Sequence, residues 1–406
     1  MKPILRRLKP IFFTLAVWAI SLILLFAVPR SSTDAFMGFA VTDPPFTPLT
    51  YGIQAFLWWD HGFAGRDMDW IRQMSFSHVK QTFAWEDIQP QRDVWSFGRA
   101  DELLAELERR NLKVVARLTD APEWAHTASG ARKTGGFVDA PPDDFADFAH
   151  YCGILAERYK GRIDAYQIWN EPNLSREWGD QPPNAAGYVA LLQACSEAIR
   201  TADPDAILIS AGLAPTGTYD AGSVPDDIYL QAMYDTGFQR FVDVVGMHAP
   251  GYSSPEVAPE DGVGGHRFFT FRHVEDLRRI MVANGDAARQ VALLEVGWTL
   301  DQNNPDYSWF AVDEAAQARN LVAAYQYAAD NWSPWVGLMS TIYIADPNWT
   351  EADEEWWWAV TAPNGYTRPA YIDLANMAKY CGDHLLPMRD PGSPEALGIV
   401  PAHPCG

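Results

Sequence analysis

From about residue 50 onward, short apolar runs alternate with amphipathic stretches along the chain. Runs rich in β-branched and aromatic residues recur at Tyr51–Leu57, His78–Phe83, Lys113–Leu118, Asp164–Trp169, Ala206–Ala211, Val242–Met247, Gln290–Leu294 and Val336–Tyr343. Their length and near-continuous apolar character suit strands buried on both faces. Between them the spacing turns helical. The segment Asp143–Lys160 puts Phe145, Phe148, Cys152, Leu155 and Tyr159 on one stripe, and Glu314–Asn331 does the same with Ala318, Leu321, Val322 and Tyr325. Gly161 and the Asp203-Pro204 pair supply stop signals. Strand followed by helix, eight times over, predicts an α/β chain folded as a (β/α)8 TIM barrel; a doubly wound open sheet would use the same units.

A bare barrel needs about 250 residues, and this chain has 406. The surplus falls mainly after the strands, at 85–94, 120–142, 212–224, 249–271, 299–312 and 345–367. In a barrel those segments crowd the catalytic face, so the extra length predicts a deep cleft rather than a second domain. The domain expected is 51–385, followed by a Pro-rich tail over 386–406.

The start of the chain has a different character. Ile11–Val28 carries no charge and follows the basic stretch "LRRLK", the pattern of a signal peptide or of a membrane anchor with its basic end in the cytoplasm. Residues 1–30 are therefore read as that segment and 31–50 as a Pro-rich linker, and the barrel is expected outside the cytoplasm, tethered or secreted. The first thirty residues hold five basic groups and no acid, which leaves 26 basic against 52 acidic residues in the rest. So acidic a body repels nucleic acid and anionic lipid surfaces. Of the four cysteines, Cys152 and Cys195 fall on successive predicted helices, and Cys381 is placed to tie down the tail through Cys405. Three pairings remain open in an oxidising compartment, as do free buried thiols. No cysteine or histidine spacing suggests a metal site, no cofactor is called for, and a monomer is expected.

One strand end carries the chemistry. The run closing at Trp169 stops at Asn170, Glu171 and Pro172, and the run from Gln290 leads into Glu295. Both strand ends open on the same face of a barrel, so two carboxyls 124 residues apart can meet across its mouth. Glycoside cleavage requires such a pair. One carboxyl protonates the leaving oxygen while the other attacks the anomeric carbon or activates water.

"WNEPN" at the fourth strand end and "LLEVGW" at the seventh resemble clan A of the retaining glycoside hydrolases, family 39 and its family 5 neighbours in particular. The resemblance extends from about Tyr51 to Tyr380 through "HVKQTFAWEDIQPQRDVWSF", "LTDAPEWA", "VVGMHAPGY" and "NGYTRPAY". It implies that Glu171 is the acid/base, that Glu295 is the nucleophile and that Asn170 bonds the substrate 2-hydroxyl. Three positions depart from the pattern. Lys80 stands where relatives often carry Arg; Pro250 replaces the Tyr usual two residues after His248, leaving Tyr252, or no residue here, to orient the nucleophile; Tyr343 replaces a Trp sugar platform. No C-terminal β-sandwich follows the barrel, unlike in family 39 xylosidases, so a stand-alone barrel acting within a polysaccharide or oligosaccharide is expected.

Trp59, Trp85, Trp124, Trp298 and Trp349 fall at or just beyond strand ends, where rings either stack on sugars or pack the loops. His248 is a hydrogen-bond partner of the pair or of a sugar hydroxyl, against the alternative of a core histidine. Asp60 and His61 lie at the same face, and Trp356 to Trp358 suit a rim platform. Rival readings of the whole are a transglycosidase with identical residues, a non-catalytic carbohydrate-binding protein on a glycosidase-like barrel, and a metal-dependent hydrolase, whose clustered His and Asp at strand ends are missing.

Overall fold

The computed structural model describes residues 40–59, 62–126 and 139–377. The expected anchor and tail, the proposed Cys381–Cys405 tie, Asp60 and His61 lie outside them. Within them the chain forms a closed barrel of eight parallel strands. These are β1 (Thr50–Gln54), β2 (His78–Ala84), β3 (Lys113–Thr119), β4 (Ala165–Ile168), β5 (Ile207–Ser210), β6 (Val244–Pro250), β7 (Gln290–Gly297) and β8 (Val336–Thr341), with β8 pairing back onto β1. The eight predicted strands are all present. The open-sheet alternative fails on that closing pair, because an open sheet leaves its edges unpaired.

Eight helices follow the strands in turn: α1 (Ala64–Gln73), α2 (Gly98–Arg109), α3 (Phe145–Arg158), α4 (Ala185–Ala202), α5 (Asp226–Thr236), α6 (Val274–Ala283), α7 (Glu314–Asn331) and α8 (Pro369–Met377). Side-chain caps start three of them, since Asp144, Asn184 and Asp313 accept from the backbone N–H of Ala146, Gly187 and Ala316. The buried stripe of α3 is Phe148, Tyr151, Cys152, Leu155 and Ala156. Phe145, first on the expected stripe, is only partly buried because it opens the helix. Among the described residues, no helix is long and apolar enough to cross a membrane.

Inside the barrel, Val115, Ala165, Ile209, Val244, Ala292, Leu294 and Leu338 form a compact core with Phe46. Phe46 comes from the Pro-rich segment before β1. Its backbone N–H donates to Gln290 Oε1 at 3.0 Å, and its carbonyl accepts from Gln290 Nε2 at 2.9 Å. The segment read as linker thus begins to serve the barrel five residues before the expected boundary, closing the end away from the site.

Cys152 on α3 and Cys195 on α4 are joined by a disulfide, with Cα atoms 5.5 Å apart. It closes a loop that includes all of β4 and the strand end carrying Glu171. We expect Cys152→Ser/Cys195→Ser to lose about 2–4 kcal/mol of stability. Calorimetry should then show Tm lower by roughly 4–12 °C.

Candidate active site

The local structure of "WNEPN" explains why an apolar run ends this way. Trp169 is fully buried, with its indole N–H on the carbonyl of Glu177, and anchors the strand end. Asn173 is also fully buried. It staples two loops together by accepting from the N–H of Ala214 and donating to the carbonyls of Ala214 and Val224. Between these anchors the backbone turns sharply, with positive φ at Trp169 (69°) and Glu171 (34°), a conformation that costs energy in a non-glycine residue and is held by its surroundings. The turn aims Asn170 and Glu171 into a cavity of about 890 Å³ at the C-terminal ends of the strands.

Glu295 reaches the same cavity from β7. A register shift in the β6–β7 pairing falls between Met247 and His248 and sets His248 opposite Glu295. His248 Nδ1 then lies 2.9 Å from Glu171 Oε1 and 3.5 Å from Glu295 Oε2. Its ring rests on Gly212, where a Cβ would come within 2.1 Å of it, so no larger residue fits that position. Lys80, 1% exposed, donates to Glu295 Oε1 at 2.9 Å and to the Leu294 carbonyl at 3.2 Å. Arg176, from the loop after β4, donates to Glu171 Oε2 at 2.9 Å. One oxygen of each carboxyl and a nitrogen of His248 lie within 4.8 Å of one another. Among the described residues this is the one such trio close enough to hold a metal ion, and in it His248 Nδ1 already bonds Glu171 Oε1.

Electrostatics follow from these contacts. Burial pushes Glu171 up, yet His248 and Arg176 outweigh it and hold the carboxyl well below the usual range. Burial also pushes Glu295 up, and His248 and Lys80 together pull it below its ordinary value. Burial brings Lys80 down to about 8, against the opposing pull of Glu295. Glu177, beside Arg176, is raised to about 8 by burial and then by the charge of Glu171.

Of the residues singled out from sequence, Glu171, Glu295, Asn170, His248, Tyr252, Tyr343, Trp59 and Trp358 line this cavity, and Lys80 supports it from within the barrel. Tyr252 packs among Phe269, Trp309 and Phe310. Trp59, 39% exposed, stands near Phe56, whose ring in turn packs on Tyr343, as an aromatic wall. Trp349 packs on Phe56 and Tyr343 behind that lining, and Trp85, Trp124 and Trp298 are placed elsewhere. Trp85 is fully buried against Trp124, Phe148 and Tyr151, because it opens a one-turn helix (Trp85–Ile88) that folds its ring under the loops. Trp124 is held by Trp85, Arg92 and the carbonyl of Gln89, outside the cavity lining. Trp298 is fully buried, lies flush on Gly251 and donates to the Ser253 carbonyl, so it locks two loops together outside the cavity lining. Sequence reasoning missed Arg117, Arg176, Asp120, Asp139 and Glu177, all of which line the cavity. Asp120 and Asp139 carry charge inside the segment 120–142 expected at the catalytic face, whereas Arg117 lies within β3 and Arg176 and Glu177 follow the β4 end in a stretch that no surplus length marks.

Comparison with known proteins agrees with this picture. A glycoside hydrolase 42 family model, described as β-galactosidase, matches residues 55–129. The fold is similar to that of a family 39 glycoside hydrolase from Bacteroides cellulosilyticus, with TM-score 0.61, 17% identity, and coverage of 83% of this chain and 64% of that one. It is similar also to a monomeric β-xylosidase from Caulobacter crescentus, with TM-score 0.60, 17% identity, and coverage of 83% and 69%. Xylanase 10B from Thermotoga maritima gives TM-score 0.53, 14% identity, and coverage of 86% and 97%. The chain thus spans less than two thirds of the Bacteroides enzyme's length. No curated protein gives a significant match to the chain. These likenesses are consistent with the clan A resemblance, and with family 39 within it.

Proposed function

We propose that the protein is a retaining glycoside hydrolase in which Glu295 attacks the anomeric carbon and Glu171 serves as acid and then base. The observation carrying this reading is the approach of the two carboxyls, with oxygens within 4.8 Å around His248 in the barrel-mouth cavity. A retaining pair stands about 5–5.5 Å apart, whereas an inverting pair needs about 6.5–9.5 Å to admit its water. His248 and Lys80 keep Glu295 ionised for attack. Water then resolves the glycosyl-enzyme, with Glu171 taking the proton it gives up. The long loops after the strands support cleavage within a glycan chain. The Cys152–Cys195 disulfide and the apolar Ile11–Val28 support an extracytoplasmic, membrane-tethered location.

Leaving-group protonation imposes one condition. In the free site Arg176 and His248 hold Glu171 ionised, so Arg176, whose side chain is 58% exposed, has to swing off Glu171 when a glycan enters. Replacing it leaves burial less opposed and raises the Glu171 pKa. The alkaline limb of kcat/KM, which follows loss of the acid's proton, should therefore move to higher pH in Arg176→Gln. An unmoved limb in a pH–rate comparison would remove Arg176 from this role.

The test of the whole reading is product stereochemistry. The full chain is incubated with a panel of polysaccharides and aryl glycosides, and the first-formed anomer is followed by NMR. Retained configuration is expected. First-formed product of inverted configuration, or cleavage of none of the panel, defeats the proposal.

A further inference from the structure

Two tryptophans among the described residues leave a large part of their rings in water, Trp59 and Trp309. Trp59 lines the cavity. Trp309, 45% exposed, lies just outside it on the loop after β7. Tyr307 before it and Phe310 after it both line the cavity, which puts Trp309 at the lip. The loop holds that ring still. Asp301 Oδ1 accepts from the N–H groups of Asn303 and Asn304 at 2.9 and 3.0 Å, the Asn304 carbonyl from those of Tyr307 and Ser308 at 3.0 and 2.8 Å, and the Tyr307 carbonyl from those of Phe310 and Ala311, each at 3.0 Å. The indole N–H of Trp309 donates to the Asp306 carbonyl at 3.0 Å. Its one polar atom is therefore engaged inside the loop, and what the ring offers to solvent is a flat apolar face.

Neighbouring rings continue that face into the cavity. Tyr252, which lines the cavity from the loop after β6, lies nearly parallel to Trp309, with centroids 5.9 Å apart and planes at 20°. Phe269 and Phe310 meet Trp309 edge-on at 4.8 and 4.7 Å, and Phe268 packs on Phe269 at 4.4 Å. A single exposed apolar side chain is ordinary on a protein surface, whereas a contiguous aromatic surface running out of a cavity marks a binding region. Exposed Asp306 and Ser308 flank Trp309 in the loop and give the face polar edges. A pyranose matches such a surface, with C–H groups on its flat side and hydroxyls around its rim. A protein partner matches it poorly. One indole presents at most about 250 Å², far below the roughly 800 Å² that a stable protein interface takes from each side. The acid-rich body of the chain favours uncharged sugar units over anionic ones.

We propose that Trp309 is the platform of an outer subsite, on which a neutral glycosyl unit stacks when a glycan chain runs from the cavity past Tyr252 and over the lip. The subsite rests on the glycosidase reading for its use, but binding tests it separately from turnover. The full chain carrying Glu295→Gln, which prevents turnover, is titrated by calorimetry with dimers and hexamers of the cello-, xylo-, manno- and N-acetylchito-oligosaccharide series.

At least one hexamer should bind about tenfold or more tighter than its dimer. Added Trp309→Ala should weaken that hexamer by about tenfold and its dimer by less than about twofold, the scale of one lost aromatic face. Trp309→Phe keeps a flat ring and should stay within about threefold of the parent. Trp309→Leu keeps apolar bulk without the flat face, and it should lose as much as Trp309→Ala. Hexamers no tighter than their dimers, a hexamer indifferent to Trp309→Ala, equal losses on dimer and hexamer, or full affinity in Trp309→Leu would overturn the proposal. Length-dependent binding that requires Trp309, with no glycan cleaved by the unmodified chain, would instead sink the glycosidase reading and leave the subsite standing.

Discussion

Glu295→Ala should abolish glycan cleavage, with kcat down on the order of 10⁴-fold or more, because in the proposed mechanism it removes the group that forms the covalent intermediate. The side chain sits at the end of β7 with Lys80 on one oxygen and His248 near the other, so both oxygens are fixed and the carboxylate enters the reaction already ionised. Its removal leaves a space on that face of the sugar and leaves Glu171 able to donate. Azide ion should therefore restore turnover by attacking the anomeric carbon from the vacated face, while the proton of Glu171 goes to the departing oxygen. The product expected is a glycosyl azide of configuration opposite to the substrate. In Glu171→Ala the pattern reverses. Poor leaving groups should lose about 10²–10⁴-fold, activated aryl leaving groups much less in the first step, and azide should give the retained anomer. The anomers are read by NMR. A retained azide from Glu295→Ala would exchange the two roles, and substantial residual hydrolysis in that variant would end the covalent mechanism.

Which parts of this site were legible in the sequence follows from what fixes each part. Strand ends are marked by a change of period, and barrel topology places all of them on one face, so Glu171 and Glu295 were assigned to a common mouth without coordinates. His248 was legible for the same reason, although its position between the two carboxyls depends on a register shift after Met247 that no periodicity reveals. Side-chain direction beyond the strand end is a different matter. Trp59 and Trp85 occupy similar places in the sequence pattern, yet Trp59 faces the cavity and Trp85 turns beneath Trp124, because the one-turn helix at Trp85 redirects it. Loop paths were illegible altogether. Asp139 and Arg176 come together through a backbone hydrogen bond between segments that share no pattern. Phe46 likewise reads as part of a linker, and only closure of the barrel gives it a hole to fill.

Lys80 stands where the resemblance leads one to expect Arg, and its replacement should show what this lysine does. The ammonium is almost wholly buried, and among the described residues it donates to Glu295 Oε1 and the Leu294 carbonyl. Lys80→Met keeps much of the volume and removes the charge. Burial and the nearby Glu171 would then press Glu295 towards its protonated form, opposed only by His248 and the more distant Arg117. Glu295 has to be ionised to attack, and activity is lost as pH falls through its pKa. Raising that pKa therefore moves the acid limb of kcat/KM to higher pH. The loss of a buried charge-assisted hydrogen bond to the nucleophile should also lower kcat/KM by about 10²–10³-fold at the optimum. Lys80→Arg should retain the position of the acid limb, since the charge is kept, and lose activity only as far as the larger planar group displaces Glu295. An acid limb that stays in place in Lys80→Met, with kcat/KM within about threefold of the unmodified chain, would mean that Lys80 fills the barrel without tuning the nucleophile, since an electrostatic role at such short range implies more than that.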